Sequence, residues 1–298
     1  MKLEGKTEKP EWKGRTDGLP WMIRSLVAIM KVVDRRVIYC IMAVIVPFYM
    51  LFSHKGYLSI YSFFRERFNC GPLKSFCKVY ANHFRFGQVI IDRYAAYAGK
   101  TFSFSIDGNE LFLNLMQSKG GFVQLSSHAG SFEMTGYGLT SHAKRINGLL
   151  YAGESQVMKD FRRNILASHN IGLIEVDGSM NHIFAMNAAL DRGEIVSMTG
   201  DRLLGSPKAL KCTFLGQEAK FPMGPFALAV QKEVPMLAMF AMRENARSYR
   251  VFVRSIESDS SLPIRARMTA MAQDFAAKLE EIVKQYPTQW FNYYDFWA

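Results

Sequence analysis

The period of the apolar positions changes several times along the chain, and each change marks an element. From Val37 to Phe52 there are 16 residues without a charge, running through Pro47, with Lys31, Arg35 and Arg36 before them and Lys55 after. That is a little short of the roughly 20 residues a spanning helix needs. It predicts a membrane anchor that dips into or marginally crosses the bilayer, with its basic flanks on the headgroups. Residues 57–99 carry aromatics at helical spacing, such as Tyr57, Tyr61, Phe64 and Phe68, and read as helix-packing core. Beyond them a short helix is expected over 107–117. Gly120-Gly121 then precedes the apolar run Phe122 to Leu125, which predicts a buried strand.

Strand-like and helix-like stretches alternate from there. Strands are expected at 148–151, 171–176 and 194–198, and helices at 156–168 and 180–190. Ala209 to Leu215 returns as a strand, Phe226 to Gln231 follows as a helix behind Pro225, and Met236 to Met242 and Tyr249 to Val253 form a hairpin. Pro263 opens a last helix whose Met268, Met271, Phe275, Leu279 and Ile282 share one face. This rhythm implies an α/β fold: a mixed, mostly parallel central sheet flanked by helices, with an N-terminal membrane-associated helix. The expected organisation is a polar mobile arm over 1–20, a membrane-associated helical segment over 21–55, and one globular domain over 56–298. The arm does not resemble a signal peptide, because it holds acidic residues and no small-residue cleavage site follows.

Composition sharpens the picture at two points. A net charge of +11 asks for acidic partners: an anionic membrane, an acidic protein or nucleic acid. Its basic residues are spread along the chain without a helix-turn-helix, zinc or RNP-type pattern, so nucleic acid is not expected. The four cysteines, Cys40, Cys70, Cys77 and Cys212, lack metal spacing and read as reduced, buried thiols. No metal site is expected.

Candidate chemistry gathers where the first strand ends, in Ser126-Ser127-His128-Ala129-Gly130-Ser131-Phe132-Glu133. Strand-to-helix turns are where open α/β sheets place ligands. With His128 in the loop and Glu133 in the first helical turn, the carboxylate is expected to fix the imidazole tautomer and stabilise its charged form. Asp201-Arg202 is a second polar pair at a strand's carboxyl end. A serine hydrolase is disfavoured, since no G-x-S-x-G elbow occurs.

His128 to Glu133 resembles the H-x4-D/E motif of the glycerolipid acyltransferases, and is most similar to the bacterial branch with the lauroyl and myristoyl transferases of lipid A. Phe214-Leu215-Gly216, Pro222-Met223-Gly224-Pro225, the strand ending in Arg243, and Pro287-Thr288-Gln289-Trp290 resemble further elements of that branch. The resemblance implies catalytic roles for His128, Glu133, Arg163 and Asp201, and substrate contacts for Arg162, Arg202, Lys220 and Arg243. It implies transfer of a fatty acyl group from acyl carrier protein or coenzyme A to a hydroxyl or amine of a lipid or lipid precursor, at the cytoplasmic face of a bacterial inner membrane. No cofactor is implied beyond the acyl thioester. Two departures lie on the acceptor side: Phe291-Asn292-Tyr293 replaces the His and Arg that follow the Trp in lipid A enzymes, and Tyr151 to Ser155 lacks their Arg and Asn. A thioester or lipid hydrolase, and a lipid A-specific late acyltransferase, are the alternatives.

Overall fold

The computed structural model describes residues 20–52, 54–138, 143–151, 170–176, 180–203 and 208–297. Four helices open it: α1 (Pro20–Val32), α2 (Arg35–Phe52), α3 (His54–Arg67) and α4 (Pro72–Tyr97). α2 continues through Pro47 and buries one stripe, Arg35, Tyr39, Val46 and Met50, against α4. Its remaining face is apolar and exposed, including Val37, Ile41, Val44, Ile45 and Phe48. Among the described residues this is the one helix long and apolar enough to cross a membrane, and only 17% of it is buried. A core helix would be covered on most sides.

A seven-stranded sheet follows, built from β1 (Ser103–Asp107), β2 (Phe122–Ser126), β3 (Ile146–Tyr151), β4 (Ile171–Val176), β5 (Ile195–Thr199), β8 (Met236–Arg243) and β9 (Ser248–Ile256). Their order is β1-β9-β8-β2-β5-β3-β4. All neighbours are parallel except β8 and β9, which form the expected antiparallel hairpin. The sheet is therefore mixed and mostly parallel. β1, not expected from the sequence, is a short edge strand in which Phe104 and Ile106 alternate with polar residues and no residue is fully buried.

Helices cover both faces: α5 (Asn109–Gln117), α6 (Phe132–Gly138), α7 (Asn181–Asp191), α8 (Gly224–Lys232) and α9 (Ile264–Gln285). The two-residue period of the strands divides the core accordingly. Val123, Leu125, Ala238 and Phe240 point to one side, with Phe275 and Leu279 of α9. Phe122, Leu237 and Met239 point to the other, with Phe112 of α5 and Met134 of α6. Every residue of β2 and β8 is buried, as suits strands at the middle of a two-sided sheet.

The strand expected at 209–215 does not join this sheet. β6 (Ala209–Phe214) pairs instead with β7 (Gln217–Pro222) as a separate antiparallel hairpin. The reason is its turn: Leu215 and Gly216 sit at φ 49° and 80°, the left-handed pair that closes a two-residue hairpin. The cysteines also depart from expectation. All four are unpaired, but only Cys70 and Cys212 are buried; Cys40 and Cys77 are exposed.

Candidate active site

β2 and β5 are parallel neighbours in register, with Ser126 opposite Thr199. His128 and Asp201 each lie two residues past those partners, so the two strands deliver them side by side at the carboxyl edge of the sheet. The Gly200 amide donates to the Ser126 carbonyl at 2.8 Å, carrying the pairing one step further. His128 Nδ1 then lies 2.7 Å from Asp201 Oδ1, and the His128 main-chain N–H donates to Asp201 Oδ2 at 2.8 Å. One carboxylate thus grips both the ring and the backbone of the same residue.

The electrostatics follow from burial. The Asp201 side chain is fully buried, whereas that of His128 is 20% exposed. Burial pulls the imidazole below its ordinary range, Asp201 opposes that, and the neighbouring Arg202 charge reinforces it. Burial alone would raise the Asp201 carboxyl, but His128, its hydrogen bonds and Arg202 bring it below the usual carboxylate range. The pair therefore favours an ionised aspartate receiving Nδ1–H from a neutral ring. Nε2 then carries the lone pair, and no hydrogen-bond partner for it occurs among the described residues.

Glu133, expected to hold the imidazole, does not touch it. Its carboxylate accepts from Arg93 Nη1 at 3.2 Å and from the Tyr97 hydroxyl at 3.1 Å, which ties α6 to α4. The chain leaves β2 for a helix that packs over the sheet, and this carries Glu133 toward α4. The carboxylate beside His128 comes from the adjacent strand.

The other expected residues divide. Arg202 stands beside the pair, donating Nη2–H to the Phe291 carbonyl at 2.8 Å and lying over the Tyr294 ring. Arg243, expected to meet substrate, is 3% exposed. Its guanidinium is spent on Asp92 at 2.8 Å and Gln88 at 3.2 Å, with the Tyr249 and Tyr39 hydroxyls also on Asp92. This is a buried structural network, because an arginine so deep in the fold must be paired. Lys220 is exposed on β7, across from Lys211. Arg162, Arg163 and the helix expected at 156–168 lie outside the described residues. Among the described residues no group of three or more His, Cys, Asp or Glu side chains could hold a metal ion.

The loop around His128 is also bound by the end of the chain. The Phe291 N–H donates to the His128 carbonyl at 2.9 Å, and the Gly130 N–H to the Gln289 carbonyl at 2.7 Å. Ala129 and Trp290 form an isolated antiparallel bridge. Gln289 and Trp290 were visible as a motif in the sequence, but nothing local in it shows that they meet His128.

Comparison with known proteins places the chain in a family. Residues 84–297 match the model of the bacterial lipid A biosynthesis acyltransferase family. Among solved structures, the 1-acyl-sn-glycerophosphate (LPA) acyltransferase PlsC from Thermotoga maritima is similar at a TM-score of 0.40 and 12% identity, over 83% of this chain and 98% of that one. No curated protein matches. The family match spans well over half of the chain and takes in His128, Asp201 and the Gln289-Trp290 segment, so this protein is an acyltransferase belonging to the bacterial lipid A biosynthesis acyltransferase family.

Proposed function

We propose that the protein moves a fatty acyl group from an acyl thioester to a hydroxyl or amine of a membrane-held lipid or lipid precursor, with His128 as general base. The observation that carries this reading is the His128–Asp201 pair: a neutral imidazole held at Nδ1 by a buried carboxylate, its Nε2 lone pair uncommitted. Nε2 takes the proton from the acceptor O–H or N–H as that atom attacks the thioester carbonyl. The tetrahedral intermediate collapses with breakage of the C–S bond, and the imidazolium returns the proton to the departing thiolate. The products are the acylated acceptor and a free thiol. No covalent acyl-enzyme is required, because a thioester is already activated and both substrates are held together. Asp201, rather than Glu133, fixes the ring and stabilises its charge. Arg202 supplies a positive charge for the developing oxyanion or for a phosphate of the donor.

The donor is acyl carrier protein or coenzyme A, both acidic, and the +11 charge suits either. The exposed apolar face of α2 supports docking on the cytoplasmic face of a bacterial inner membrane, with the catalytic domain at the lipid surface. The two departures after Tyr151 and Trp290 favour an acceptor other than lipid A, a different lipid or a lipoamino acid.

Membranes containing the protein, incubated with a radiolabelled acyl thioester, provide the test. Label should appear in a lipid, and His128→Ala should lower its transfer by about 10²- to 10⁴-fold, the usual worth of a positioned base. Label released only as free fatty acid would make the protein a hydrolase. Loss of a lipid A species from a deletion strain would identify lipid A as the acceptor after all.

A further inference from the structure

Residues Ser127 to Ser131 form no regular element, yet each backbone N–H from His128 to Ser131 has a fixed partner. The Ala129 N–H donates to Ser127 Oγ at 3.1 Å, and the Ser131 N–H to the Ala241 carbonyl at 2.8 Å. The remaining ties, already described, run from His128 to Asp201 and Phe291 and from Gly130 to Gln289. Pairing between β2 and β8 covers only Val123 to Leu125 against Met236 to Ala238. Past that point the edge of β8 receives the loop at Ala241 and the C-terminal segment at Arg243.

Gln289 makes that second junction. The Arg243 N–H donates to Gln289 Oε1 at 2.9 Å, and Gln289 Nε2 donates to the Arg243 carbonyl at 2.9 Å. The side-chain amide thus pairs with a strand end as a neighbouring strand would, and the residue is 5% exposed. The side-chain amide supplies both the acceptor and the donor this requires. The Arg243 side chain is itself locked by Asp92 and Gln88, so the anchor is rigid. From it, the Gln289 carbonyl and the next two residues reach Gly130, Ala129 and His128.

We propose that Gln289 is a positioning residue for catalysis: by clamping Arg243 it sets the segment 289–291 that holds the His128 imidazole against Asp201. The proposal deepens the reading of His128 as general base and rests on it, but its effect on the ring can be measured without turnover. The protein supplies a matched control. Gln273 makes the same two-bond clamp on Thr213, accepting from its N–H at 2.7 Å and donating to its carbonyl at 3.0 Å. That clamp lies on the β6–β7 hairpin and touches no part of the His128 loop.

The experiment is NMR of the full chain in detergent micelles with isotope-labelled histidine, the His128 signals being assigned by their loss in His128→Ala. In the wild type the ring should titrate below the ordinary histidine range and show a protected Nδ1 proton. In Gln289→Ala the midpoint should rise toward the ordinary value as water reaches the ring, and the Nδ1 proton should exchange away. Gln273→Ala should leave both as in the wild type. With an acyl thioester and membranes, Gln289→Ala should lose about 10-fold or more in kcat with little change in donor KM, since misplacement of a reacting group falls on the chemical step. Should Gln289→Ala fail to fold, Gln289→Glu keeps the acceptor, loses the donor, and should show the same shifts in smaller measure. A wild-type titration and a retained Nδ1 proton in both Gln289 variants would overturn the proposal, as would equal shifts in Gln273→Ala. If instead the Gln289 variants move the ring while His128→Ala still transfers acyl groups, the base reading falls and the positioning stands.

Discussion

At the residue scale, function is proposed to rest on which carboxylate serves His128. In the proposed mechanism neutral His128 is the active form, and burial holds its pKa below the ordinary value near 6.5. Activity should therefore persist into mildly acid solution and fall only as pH drops through that depressed value, which a pH profile of kcat/KM will show. Asp201→Asn removes a charge that raises the imidazole pKa, so the acid limb should move to still lower pH. The rate should nonetheless fall by roughly 10²-fold or more, because the ring loses its fixed tautomer. Glu133→Gln breaks the link to Arg93 and Tyr97 and should cost clearly less activity than Asp201→Asn. An equal or larger loss would return Glu133 to the role of orienting carboxylate. Sequence alone pointed to Glu133 because it lies five residues from His128. Asp201 is 73 residues away, and only strand register brings it near.

At the scale of elements, what could be read from sequence was whatever a short window contains. β2 and β8 announced themselves as largely apolar runs because both their faces are buried, and α9 as a one-sided helix behind a proline. What stayed hidden depends on partners far along the chain: β5 lying beside β2, β6 turning back on itself, and the C-terminal segment lacing the His128 loop. The joints between elements give two predictions. Arg243→Ala should destabilise the fold by about 3–5 kcal/mol, since it leaves Asp92 charged and buried without its partner. Asp92→Ala combined with it should cost less than the sum of the two, as a double-mutant cycle in chemical denaturation will measure. Gly130→Ala is the second: the residue sits at φ +66°, and an added Cβ would fall 2.1 Å from the Ala241 carbonyl oxygen. It should displace the loop and abolish most activity, while the circular dichroism of the sheet and helices is kept.

For the whole molecule, the arrangement is a catalytic α/β domain carried on a helical base. The base presents Trp21, Ile29, Val32, Val37, Ile41, Val44 and Phe48 to its surroundings, more apolar surface than a protein in water ordinarily leaves uncovered. Removal of residues 1–55 should release the domain from membranes in a flotation assay; continued flotation in high salt would place the anchor elsewhere. The in-register delivery of His128 and Asp201 has one more consequence, in time rather than space. On the ribosome His128 is made well before Asp201, and the chain of two further strands, β3 and β4, lies between β2 and β5. Until β5 is in place the histidine is an ordinary exposed imidazole with no carboxylate to orient it. In the proposed mechanism a growing chain is thus chemically silent, and acyl transfer switches on only when β5 docks beside β2. Regain of activity during refolding should accordingly track the docking of β5 rather than the earlier formation of helices.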